Sequence, residues 1–275
     1  MPMNKIAVIL PYYNDKAASH GPHLTEMLEE WGKSMKVALI VENATTQPDL
    51  KNISFVYVQK IHLPFASLLE RAVALVALRL KGYRQIFVYY SYWGALLSNL
   101  IFRISGGRVF YWHCEVFEDF FASGKSLSET VKKRLVDQLP MALTMKTVSY
   151  LITGSKLIGQ AYTTTFGVSP ARIKIIPNWV NLSRFGHVDQ KTARRKLSIT
   201  NETKVVLFLH RLANRKGVKF LVPIAKKIIK NTRNVLFLIV GDGPEKEWLQ
   251  EEVFQNNLSN YFRIVGAVPN IEIPK

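Results

Sequence analysis

At 275 residues the chain is long enough for two α/β domains or one large one, and 48% hydrophobic residues mark a packed globular protein rather than a disordered one. Thirty-seven Lys and Arg against 20 Asp and Glu leave a formal charge of +17, which predicts anionic partners: nucleotide, anionic lipid or nucleic acid. The single cysteine, Cys114, excludes an intrachain disulfide and suits a reducing compartment.

The positive excess is uneven. Residues 1–100 carry 10 Lys/Arg and 7 Asp/Glu, whereas residues 101–200 carry 15 and 6. The opening MPMNKIAVILPYYND has an apolar stretch too short for a secretion signal. The nearest approach to a membrane-spanning run, Ile86 to Phe102, falls slightly short and reads better as a buried strand followed by a helix.

In chain order, Lys5–Leu10 is a first buried strand, leading through PYYNDKAASHGPH into a helix over Leu24–Trp31. Val37–Val41 and Ser54–Val58 read as short strands, and Phe65–Leu80 as a strongly apolar helix. Gln85–Tyr90 is the next strand, followed by the helix SYWGALLSNLIFRIS; Gly106 and Gly107 then turn the chain into RVFYWHCE. His113 stands at the end of that strand, with Glu115, Glu118 and Asp119 beyond it as a solvated acidic loop or as contacts to a bound molecule. Residues 123–147 form a basic amphipathic stretch with Lys132, Lys133, Arg134 and Lys146, suited either to an anionic membrane surface or to ordinary solvation. SYLITGS is a strand, KLIGQAYTTTFGV a helix, and SPARIKIIPNWVNLSRF a strand entering a turn.

The second half is organised around Val205–Pro244. VVLFLH, RLANRKG, VKFLVPIAKKIIKNTR and NVLFLIV, ending in GDGP, read as strand, basic turn, helix over 217–231 and strand: a βαβ unit in a parallel sheet. A helix over 245–256 and a strand over 261–265 follow. Open α/β sheets bind ligands beyond their strand C-termini. Arg211 and Lys216 lie there, five residues apart, at the expected start of a helix. They are either plain surface charges or two cations that, with free backbone N–H groups, receive a multiply charged anion such as a diphosphate.

HRLANRKG, IVGDGPEKEWL and RIVGAVPNIEIP, in that order, resemble the retaining glycosyltransferases of the GT-B fold, in the large GT4 family. The resemblance implies an α/β protein with two Rossmann-like domains facing a cleft, here 1–184 on the acceptor side and 185–275 on the donor side. It implies that Arg211 and Lys216 hold the diphosphate of a nucleotide-sugar such as a UDP- or GDP-sugar, with no metal and no other cofactor. It gives His113 the catalytic place facing the reacting sugar. Gly21, Gly241, Asp242 and Gly243 border the donor, and Val268 lies in the loop that meets the base. Pro177, Asn178, Val180 and Phe185 match the family's interdomain signature, while Trp179 stands where Gly is usual and Asn181 where Asp is usual.

A relative would continue past Lys275 with two glutamates eight residues apart, and the second domain shows only about three strands. Three readings stay open: a truncated fragment, a domain completed by a separate chain, or a non-catalytic nucleotide-binding remnant. The expected function is transfer of a sugar with retention to a glycan or lipid-linked acceptor, in the cytoplasm or at the inner face of the membrane. Hydrolysis is a weaker rival without paired carboxylates. A basic nucleic-acid-binding protein is another, but no nucleic-acid motif supports it, so nucleic acid is not expected as a partner.

Overall fold

The computed structural model describes residues 4–14, 22–115, 129, 134–186 and 189–273. They fall into two compact units, divided between Asn181 and Leu182.

The first unit is a seven-stranded sheet in the order β3-β2-β1-β4-β5-β6-β7, every neighbouring pair parallel. Its strands are β1 (Lys5–Leu10), β2 (Lys36–Val41), β3 (Phe55–Val58), β4 (Gln85–Tyr89), β5 (Arg108–Trp112), β6 (Tyr150–Thr153) and β7 (Ile173–Ile175). The helices are α1 (Pro22–Gly32), α2 (Pro64–Leu80), α3 (Tyr92–Ser98), α4 (Leu139–Thr147) and α5 (Lys156–Phe166). The chain leaves β1 for β2 on one side and returns through β4 on the other, so β1/β4 is the switch point of a doubly wound sheet.

Strand residues alternate between two cores, as the two-residue period requires. Ala7, Ile9, Ile86, Val88, Val109 and Tyr111 face a core closed by Leu75 and Leu78 of α2, Ala95 of α3, Met141 and Met145 of α4 and Tyr162 of α5. Ile6, Val8, Leu10, Phe87 and Trp112 face the opposite core, where α1 contributes Leu24 and Leu28. Local chemistry fixes the helix ends. The Ser91 and Ser155 hydroxyls accept from the N–H groups of Gly94 and Leu157, and Gly167 ends α5 at φ 65°.

The second unit is a three-stranded parallel sheet, β10-β9-β8, built from β8 (Lys204–Leu209), β9 (Val235–Val240) and β10 (Phe262–Gly266). Its helices are α6 (Gln190–Lys196), α7 (Leu221–Ile229) and α8 (Lys246–Gln255). Val222 and Ala225 of α7 and Leu249 and Val253 of α8 cover one face, around Phe237 and Ile239. On β8, Leu207 and Leu209 are exposed.

Two helices differ from expectation. The 91–105 segment is α3 followed by a wider π-turn over Asn99–Arg103. The helix expected over 217–231 is regular only from Leu221. Gly217 takes φ 82°, a short 3₁₀ turn spans Val218–Phe220, and Pro223, which lacks an N–H, falls in the first helical turn.

Candidate functional site

Three loops leave the C-terminal ends of β8, β9 and β10 and are stitched together by backbone hydrogen bonds. His210 N–H donates to Val240 O (3.1 Å), Leu212 N–H to Asp242 O (2.9 Å), Glu245 N–H to Leu212 O (3.1 Å) and Gly241 N–H to Gly266 O (2.8 Å). The approach is so close that only glycine fits. A Cβ on Gly241 would lie 1.9 Å from His210 O, and one on Gly243 would lie 2.3 Å from Leu212 O. The GDG motif therefore does more than turn the chain: it allows the 210–212 backbone to lie against it.

That backbone carries Arg211. Its N–H donates to His210 Nδ1 (2.7 Å), while its side chain is exposed. Lys216 is half-buried at the end of a 3₁₀ turn over Asn214–Lys216. It precedes the left-handed Gly217 and sits ahead of α7 rather than on its first turn, because Gly217 breaks the helical path. Among the described residues no carboxylate pairs with either cation. Asp242 is occupied otherwise: the Gly243 N–H (2.8 Å), then Lys246 (3.3 Å), hold its carboxyl below the usual range. Val268 is half-buried just past β10, ahead of a turn whose Asn270 accepts from Arg184 through its carbonyl (2.7 Å) and side-chain oxygen (2.8 Å). The second unit thus brings Arg211, Lys216, Gly241, Asp242, Gly243 and Val268 to one edge of its sheet, where they can receive a multiply charged anion.

His113 belongs to the other unit and is only 1% exposed. It follows β5, with its N–H on Ile152 O (3.0 Å), its Nδ1 2.8 Å from the Tyr162 hydroxyl and its Nε2 3.8 Å from Glu115. Tyr90 and Tyr111 also flank the ring. Burial pushes its pKa down to about 4, so it is neutral near pH 7. Gly21, Glu118, Asp119, Lys132 and Lys133 lie outside the described residues. Among those described, no three His, Cys, Asp or Glu side chains gather as a metal's ligands would.

Two features of the first unit escaped the sequence reading. At the ends of β2, β3 and β4, buried Arg71 pairs with Glu42 (2.9 Å) and donates to Gln59 Oε1 (3.0 Å), while Ser91 donates to Glu42. Desolvation raises the Glu42 pKa against the opposing pull of Arg71. Neither partner signals the other in sequence, since they lie 29 positions apart. The second feature is a cavity of about 530 Å³ on the α1 side of the sheet, lined by Trp31, Phe87, Tyr89, Phe110, Trp112 and Trp179 among others. The aromatic residues on alternate positions of β4 and β5 were its visible trace.

Comparison with known proteins agrees with this architecture. Residues 189–275 match the family model described as Glycosyl transferases group 1. A 2-deoxystreptamine N-acetyl-D-glucosaminyltransferase of Niallia circulans is 40% identical over 65 residues, 24% of this chain and 17% of that protein. An alpha-monoglucosyldiacylglycerol synthase of Acholeplasma laidlawii is 31% identical over 104 residues, 36% of this chain and 26% of that one. The chain thus aligns with about a quarter or less of the length of these relatives. The crystal structure of Anabaena Alr3699/HepE in complex with UDP superposes with a TM-score of 0.67 at 14% identity, covering 99% of this chain and 71% of that one. Residues 189–275, with all six loop residues named above, therefore match the glycosyl transferases group 1 family, and the fold of the chain is that of the GT-B glycosyltransferases.

Proposed function

We propose that the protein transfers a sugar from a nucleotide-sugar, a UDP- or GDP-sugar, to a glycan or lipid-linked acceptor with retention at the anomeric carbon. One observation carries this reading: the glycine-tight junction of three loops in the second unit sets Arg211 and Lys216, both without a carboxylate partner among the described residues, at the C-terminal edge of the sheet. In the reaction the anomeric carbon–phosphate oxygen bond breaks, the acceptor oxygen bonds that carbon, and the acceptor proton is released. Charge grows on the departing diphosphate, and two fixed cations stabilise it most where it is most developed. The chemistry fits the group 1 match over 189–275 and the glycosyl transfer named for both relatives.

His113 in this reading acts as a neutral group beside the sugar. Tyr162, whose hydroxyl lies 2.8 Å from its Nδ1, is its orienting partner. Attachment to the inner face of a membrane belongs to the same proposal; no helix among the described residues is long and apolar enough to cross a membrane. The test is calorimetric titration of UDP and GDP into the parent protein and its Arg211→Ala variant. Binding that is lost in the variant supports the reading; equal binding by both removes Arg211 from the site.

A further inference from the structure

Helix α2 is apolar on its outer face as well as on the inner one, where Leu75 and Leu78 are buried. Its polar side chains point inward. Glu70 accepts from the Tyr57 hydroxyl (2.5 Å) and from the N–H groups of Lys60 and Ile61 (2.8 Å each). Arg71 is buried on Glu42 and Gln59, and Arg79 donates to Tyr83 O and to the Ser105 hydroxyl (2.7 Å each). Every exposed side chain described on α2 is apolar: Phe65, Leu69, Val73, Val76, Ala77 and Leu80. Four of them are almost fully open, with Phe65 at 85%, Leu69 at 70%, Val73 at 71% and Leu80 at 84%.

Their spacing puts them on one helix face, a stripe roughly 22 Å long at 1.5 Å per residue. Leu63 leads into it, and Leu100 and Ile104, also exposed, lie on the segment that Arg79 ties to α2 through Ser105. A contiguous apolar surface of this kind marks an interaction site. Its surroundings are cationic at both ends: exposed Lys60 stands before α2, and exposed Lys81, Arg84 and Arg103 stand beyond it.

We propose that this stripe docks on an anionic lipid bilayer, with α2 lying parallel to the membrane plane and the end cations on lipid phosphates. The charge pattern selects the occupant. A second copy packed stripe to stripe would bring the basic ends of one helix against those of the other, whereas a sheet of lipid phosphates satisfies both ends at once. The inference gives a surface to the membrane attachment proposed above, and its evidence is the surface of α2. Glycosyl transfer rests on loops of the other unit, so either can fail without the other.

The experiment is sedimentation with vesicles of phosphatidylcholine alone or mixed with phosphatidylglycerol. The parent protein should partition onto the mixed vesicles. Changing Phe65, Leu69, Val73 and Leu80 together to Ser should weaken partitioning at least tenfold, with circular dichroism unchanged because these side chains are exposed. A second variant, Lys81→Glu with Arg84→Glu, should lose the preference for phosphatidylglycerol. The proposal is overturned if the serine variant partitions as the parent does. It is equally overturned if the parent ignores vesicles and sediments as a dimer that the serine variant dissociates.

Discussion

Gly243 passes so close to Leu212 that a Cβ would lie 2.3 Å from the Leu212 carbonyl oxygen, the same oxygen that accepts the Glu245 N–H. The loop after β9 is thus pressed against the loop that carries Arg211, and the two cannot be remodelled separately. Loop geometry, charge placement and the start of α8 form one structural unit.

Gly243→Ala should therefore lower stability by on the order of 2–3 kcal/mol, since backbone rather than a flexible side chain must yield. Gly167 is the control. It is also at positive φ, but nothing lies within 4 Å of its Cβ position. Gly167→Ala should cost only about 1 kcal/mol, the ordinary penalty of left-handed backbone. Urea unfolding of both variants measures the difference; equal losses would show that conformation, not loop contact, sets the cost.

Buried Arg71 and Glu42 make a second prediction. Glu42→Gln leaves a buried guanidinium without its counter-charge and should cost about 3–5 kcal/mol. Combining it with Arg71→Met should cost less than the sum of the two single changes, because the second change removes the orphaned charge. Strict additivity in the unfolding free energies would mean that the two residues stabilise the fold independently.

Stability should fall in acid because of His113. Its folded pKa of about 4 lies below the ordinary value near 6.5. Between those values the unfolded chain binds a proton that the folded chain refuses, so stability is full above pH 6.5 and is lost as pH falls towards 4. The loss attributable to this residue is roughly 3 kcal/mol across that window. His113→Gln should flatten the pH profile by that amount relative to the parent. A variant with the parent's slope would assign the acid sensitivity to other groups.

These sites were legible in the sequence to different degrees, for physical reasons. Several strands stood out because a parallel strand buried on both faces is a continuous apolar run, as in KIAVIL or NVLFLIV; VVLFL reads the same way although Leu207 and Leu209 of β8 are exposed. The loops bearing Arg211 and the GDG motif were visible because glycine and proline punctuate the chain. The position of Lys216 relative to α7 was not. Whether Gly217 continues a helix or breaks it at positive φ depends on packing that local pattern does not encode. His113 could be placed at a strand end from RVFYWHCE, but its burial depends on Tyr162, 49 positions away. Phe65–Leu80 read only as a strongly apolar helix, because a helix apolar nearly all round does not say which of its faces packs on the sheet.

The last prediction concerns Arg211 and Lys216 as a pair. If they hold a diphosphate, Arg211→Ala should weaken UDP binding tenfold or more, as expected for a charge-assisted contact, while uridine binding stays the same. Lys216→Ala should weaken UDP binding too, but the double variant should lose less than the product of the single losses, since the two cations share one anion. Arg211→Lys should restore only part of the affinity, because a point charge cannot reproduce the guanidinium fork. UDP affinity should also fall with added salt, and less steeply in either single variant. Parallel losses for UDP and uridine would instead show that these residues hold the 210–216 loop in shape, and that the phosphates are bound elsewhere.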